Sequence, residues 1–197
     1  YTSLMARTRD TSEARQRVLE TADRLFYAEG VRAVGIDRII AEAGVAKMSL
    51  YKHFSSKDDL ILAVLQYREQ TVLAFFASAM ERHGRRIKDQ LRAFFAALKE
   101  WFESPGFRGC AFQNAAIELA DPDHPATAFV RGHKERFAAF LRGLIEQAVG
   151  RAAAKIAPAV HLLVEGAIVT AVVHGSPDAA DVACAAAARL VSGASGK

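Results

Sequence analysis

Between Ile36 and Phe54 the chain holds two short apolar-periodic segments joined through Ala43-Gly44-Val45-Ala46. A helix of about eight residues is marginal in water by itself. Each segment must therefore be held by the other. Ile36, Ile39, Ile40 and Ala43 form one apolar stripe, and Val45, Leu50 and Phe54 form the answering one. Small residues at the joint let the two helices cross steeply, which is the helix-turn-helix arrangement. Helices are predicted at about 36–43 and 47–54.

The surrounding sequence is helical too. Half of the residues are apolar, Ala is abundant and Pro scarce, and no period-2 strand pattern appears. A first helix is predicted from about Thr11 to Glu29, capped by Thr11 or Ser12 and ended by Gly30. Ser55 or Ser56 caps a long fourth helix from Lys57 to His83, with Asp58 and Asp59 in its first turn. Further helices are expected at about 87–104, 110–120, 126–149, 155–174 and 178–192. The expected fold is all-α, with about nine helices. A three-helix unit over residues 1–56 precedes a larger helical bundle over 57–197. The tail SGASGK reads as disordered.

Two cysteines make no disulfide framework and fit a reducing cytoplasm. YTSLMARTRD lacks the apolar segment of a secretory signal, and Met5 is a candidate natural start. The run AVHLLVEGAIVTAVV, with His161 and Glu165 inside it, is expected to be too short and too polar for a membrane span. The net charge of +4 is mild. Its distribution says more, because residues 46–57 carry three lysines and no acid.

On a wheel of ~100° per residue, Leu50 and Phe54 point inward. Lys47, Met48, Tyr51 and Lys52 then share the outward face, with Ser49 and His53 at its edges. Such a face suits the major groove of DNA. Lysine donates to guanine or phosphate, methionine touches the thymine methyl, and tyrosine and serine hydroxyls bond phosphate. Lys57 stands at a helix N-terminus that already attracts anions. Gly35 and Ile36 offer backbone N–H groups, and Arg7 and Arg9 form a candidate arm into an adjacent groove.

The stretch GVRAVGIDRIIAEAGVAKMSLYKHFSSKDDLI, and LYKHFSSKDDL above all, resembles the DNA-binding signature of TetR-type transcriptional regulators. The likeness covers about residues 12–62. It implies a three-helix DNA-binding domain on a ligand-binding and dimerisation body, acting as a homodimer on a near-palindromic operator. The family's DNA-contacting roles fall on Lys47, Met48, Ser49, Tyr51, Lys52, His53 and Lys57. One position departs: Gly35 stands where a Thr or Ser hydroxyl is often found. RGCAFQNAAIELADPDHPA and HLLVEGAIVTAVVHGSPDAA resemble the body of a TetR subgroup, with no ligand implied.

In that body the aromatics read mainly as core. Candidate effector contacts are Phe76, Phe95, Trp101, Cys110, Phe112, Asn114, Glu118, Phe137, His161 and Glu165, a mix of aromatics and a few polar groups. His161 and Glu165 lie at i, i+4 and can equally satisfy each other. Glu118, Asp121, Asp123, His124 and His133 crowd one region, but their spacing matches no standard metal site. Neither metal nor cofactor is expected. Without phosphate loop or triad spacing, no enzyme is expected either. The last two helices are apolar nearly all round, and two from each chain would build a four-helix dimer interface. Two recognition helices would then sit ~34 Å apart, one DNA turn.

The reading is a cytoplasmic, ligand-responsive repressor that binds double-stranded operator DNA and an unknown small-molecule effector, with no membrane partner. The alternatives are an activator of the same fold, or a helical small-molecule binder or enzyme that no longer uses DNA.

Overall fold

A computed structural model of the chain describes residues 2–84, 86 and 89–195. All of the regular structure among them is helical. The helices are α1 (Thr2–Glu29), α2 (Ile36–Ala43), α3 (Lys47–His53), α4 (Lys57–His83), α5 (Gln90–Phe102), α6 (Ala111–Leu119), α7 (Pro125–Val149), α8 (Ala153–His174) and α9 (Ala179–Ser195). One 3-10 turn, Gly150–Ala152, joins α7 to α8.

The chain divides into two compact units. The first comprises Tyr1–Gln70 with Ala111–Arg131, and the second Thr71–Cys110 with Gly132–Lys197. The first thus gathers α6 and the N-terminal half of α4 together with the three N-terminal helices.

In the first unit, α1, α2 and α3 pack on one another. Their shared core is Val18, Leu19, Ala22, Leu25, Ile39, Leu50 and Phe54, all buried. Gly44 makes the tight turn possible. It sits at φ 63°, ψ 40°, and its N–H and that of Val45 bond back to Ala41 and Ile40. A side chain at this left-handed position would be strained, so glycine is favoured. Ser56 caps α4 by accepting the Asp59 N–H at 3.0 Å. At the other end of the first helix the expectation fails. Because α1 begins at Thr2, neither Thr11 nor Ser12 caps it. Their side chains, and those of Arg7 and Arg9, lie outside the described residues.

In the second unit, α9 packs against α5 and α8. Lys99 of α5 donates to Asp181 of α9 at 2.5 Å. One face of α8 is buried through Ala153, Ala157, Val160, Val164, Ala167, Ile168 and Ala171. The expected start of α5 at Ile87 moves to Gln90, and Ile87 and Lys88 themselves are outside the described residues. α9 continues to Ser195, into the segment expected to be disordered.

By length and composition alone, Lys57–His83 and a stretch within Pro125–His174 could each cross a membrane. This corrects the expectation for Ala159–Val173. The apolar run continues through the first turns of α8, where Ala dominates, so it is longer than His161 and Glu165 suggest. A soluble core helix passes the same test, and α8 packs as one along its buried face.

Candidate nucleic-acid interface and effector site

α3 is only seven residues long, so its faces separate cleanly. Leu50 and Phe54 are buried, whereas Met48 is 82% exposed and Tyr51 42%. Lys47 and Lys52 are also exposed, with Ser49 and His53 half-buried at the edges. A methionine and a tyrosine held out in water, flanked by two lysines, form a surface with polar donors and apolar contact side by side. That mixture matches the edges of base pairs in a major groove.

The neighbouring residues are more constrained than the sequence shows. Lys47 donates through Nζ to Asp37 Oδ1 at 3.1 Å. Lys57 Nζ turns to the Arg32 carbonyl at 3.4 Å, and partial burial pulls its pKa below the ordinary lysine value. His53 tilts against Phe54, with its Nε2 buried and unpartnered. Gly35 is the N-cap of α2 in an extended conformation and supplies no side-chain cap. A Cβ built there meets nothing within 4 Å. Gly35→Ser is therefore expected to fit without strain. It should add about a few tenths of a kcal/mol through capping and tighten duplex binding several-fold. Thermal melting and fluorescence anisotropy would show both, and an unchanged affinity would mean that this helix start does not meet phosphate.

The bundle is stapled by ion pairs. Arg38 donates to Glu42 at 2.8 Å and to both oxygens of Glu29, and Arg24 reaches Glu42 at 2.6 Å. These bonds hold both carboxyls below their ordinary values and push Arg38 up.

The family described as bacterial regulatory proteins of the tetR type matches residues 18–64, and the tetracycline repressor-like C-terminal domain matches residues 88–187. A solved TetR-family transcriptional regulator from Streptomyces coelicolor superposes with a TM-score of 0.85 at 37% identity, covering 93% of this chain and 97% of that one. The chain belongs to the TetR family. A second TetR-type structure, from Streptomyces avermitilis, gives a TM-score of 0.78 at 30% identity over 92% of this chain and 97% of that one. The transcriptional activator FasR of Mycolicibacterium smegmatis is 35% identical over 99 residues, 49% of this chain and 44% of its own length. A transcriptional regulator of Staphylococcus aureus USA300 is 43% identical over 91 residues, 46% of this chain and 45% of its own length. The chain thus spans about half the length of these curated relatives.

In this TetR chain the ten expected effector residues divide between the units. In the second unit, Phe94 is fully buried and is ringed by Phe76, Phe95, Phe137 and Phe140 at centroid distances of 5.5–6.1 Å. Trp101 touches Phe76, and His161 meets Phe137 edge-on at 5.7 Å. His161 and Glu165 do satisfy each other at 3.2 Å, but a third partner was not legible. Lys134 of α7 donates to both Glu165 oxygens at 2.8 Å. Cys110 is buried, and burial pushes the Cys184 thiol up, away from thiolate chemistry.

In the first unit, Asn114 and Glu118 line a cavity of about 20 Å³ with Tyr27 and the Asp23–Arg68 pair. That is room for about one water rather than an effector. Phe112 is buried beside it in sequence and does not line it. Glu118 instead braces the α1–α2 turn. Its carboxylate accepts the Arg32 N–H at 3.2 Å and packs where a Gly30 side chain would stand. Arg32 in return donates to the Leu119 carbonyl at the end of α6, at 2.8 Å. His124, grouped above with possible metal ligands, accepts the Ala126 N–H on Nδ1 at 3.0 Å, near the start of α7. Among the described residues no group of three or more His, Cys, Asp or Glu is placed to hold a metal.

Proposed function

We propose that the chain is a cytoplasmic one-component repressor, without catalytic activity, that binds operator DNA as a homodimer and leaves it when a small molecule enters the body. The outward face of α3 carries this reading. Met48, Tyr51 and both lysines stand in solvent while Leu50 and Phe54 fix the helix from behind. Within this face Tyr51 serves phosphate, Lys47 and Met48 serve base edges, and Lys52 serves either. The likeness to a relative named as an activator supports a second reading, in which the same dimer recruits rather than blocks polymerase.

Dimerisation rests on α8 and α9. Leu162, Val169, Val173 and Val182 are each more than half exposed, on the side of these helices away from the buried stripe. A second copy related by a two-fold would cover them. The effector reading rests on the half-buried aromatics Phe76, Trp101 and Phe137, the last of which packs against His161 of the Lys134–Glu165–His161 cluster. The coupling runs through two helices. α4 continues from the first unit into the second, and α6 follows directly on Cys110 of the second unit while gripping Gly30 and Arg32. A ligand that shifts either helix biases the spacing of the two recognition helices.

Anisotropy titrations of point variants test the division of roles. Tyr51→Phe is expected to weaken every duplex alike, while Lys47→Ala also relaxes preference at one base step, by about 1–3 kcal/mol of discrimination. Equal losses on all duplexes for both variants would contradict it.

A further inference from the structure

Asp37 is an acid on a surface that must approach phosphates. It is the second residue of α2, two positions after the N-cap Gly35, and its side chain is 85% exposed. Its partner is Lys47, the first residue of α3 on the proposed reading face, at 3.1 Å and 63% exposed. Arg38, the neighbouring cation on α2, is occupied by Glu29 and Glu42 and cannot replace Lys47. Exposed pairs of this kind contribute little to folding, so stability does not account for the arrangement. A donor and an acceptor about 3 Å apart are, however, what one G·C pair presents in mirror image on its major-groove edge. Guanine O6 and N7 accept there, and cytosine N4 donates beside them.

We propose that Asp37 and Lys47 act as one unit that reads a G·C base pair. Lys47 donates to the guanine edge while Asp37 accepts from cytosine N4 and keeps Lys47 from a phosphate. At an A·T pair adenine N6 can donate to the carboxylate, but it stands between two separate acceptors and Lys47 loses the adjacent O6 and N7 of guanine. Away from the site the carboxylate repels the backbone, so unspecific binding stays weak. The hydrogen bond to the Asp37 carboxylate also raises the Lys47 pKa. The inference rests on the DNA-binding reading above. The competing view is that Asp37 only complements the α2 dipole.

The two views separate in one set of titrations. The duplex recovered from a random library by the wild-type protein is compared with its single-pair variants and with a scrambled duplex of the same length, each at several salt concentrations. Asp37→Asn should lose about tenfold of its preference for G·C at one position per half-site. It should also bind the scrambled duplex about tenfold more tightly, with a salt slope steeper by about two ions per dimer as each Lys47 takes a phosphate. Adding Lys47→Ala to Asp37→Asn should remove that gain, and Asp37→Glu should keep scrambled-duplex binding weak. If Asp37→Asn leaves both the base preference and the scrambled-duplex slope at wild-type values, Asp37 is a dipole residue and the inference fails alone. If the wild type enriches no duplex, the DNA reading beneath it fails as well.

Discussion

Leu50→Ala is expected to abolish sequence-specific duplex binding while leaving most of the helical signal in place. Leu50 is fully buried in a seven-residue helix. Truncating such a leucine costs about 2–5 kcal/mol, from lost transfer energy and the cavity left behind. A typical domain has only about 5–15 kcal/mol to lose. α3 has almost no stability of its own, so the deficit appears first as local melting of the recognition helix. Urea denaturation followed by circular dichroism should show a large drop in midpoint. Anisotropy should show loss of the specific complex at all practical concentrations. Leu50→Met, which nearly conserves volume, should cost less than about 1.5 kcal/mol and keep binding. Wild-type affinity in Leu50→Ala would mean that α3 is not held from behind by this side chain.

Phe94→Ala is the matching test in the body. Phe94 has no exposed surface and contacts four other phenylalanine rings. Its removal should cost about 3–5 kcal/mol if this layer is packed core. Loss of ring-to-ring contacts adds to the area term. A loss under about 1 kcal/mol would mean that the layer is loosely filled and that Phe94 itself lines an open effector pocket. The expected result is the large loss, with Phe76, Trp101 and Phe137 left as the half-buried edge available to a ligand.

The two tests fall on parts of the molecule that differ in how well the sequence discloses them. The bounds of α2 and α4 stand where periodicity and caps put them, at Ile36–Ala43 and Lys57–His83. Gly44, Ser56 and Gly30 are local signals, and local signals survive in a one-dimensional reading. The outward face of α3 was legible for the same reason, since two inward residues on a short helix leave one direction for the rest. Contacts between distant residues were not legible. Lys57 looks like a free cation until Arg32, 25 residues earlier, takes its ammonium. Glu118 was read as an effector contact, and its bond to a turn 86 residues away was not visible in the sequence. His53 stands at the edge of the wheel, and only packing against Phe54 decides that its Nε2 turns inward. Asp37 drew no attention because its meaning comes from Lys47 across the turn. The effector residues were read as one group, although the chain separates Phe112, Asn114 and Glu118 from the rest by folding α6 into the first unit.

Whether the α3 face reads DNA from a symmetric pair decides the function. The direct measurement is selection of the protein against a random duplex library, followed by anisotropy of the recovered sequences at two salt concentrations. The expected product is a near-palindrome with half-sites about one helical turn apart, bound by two protomers and weakening steeply as salt rises. Absence of any enriched sequence, with weak binding that salt does not change, would contradict a DNA-reading role for α3.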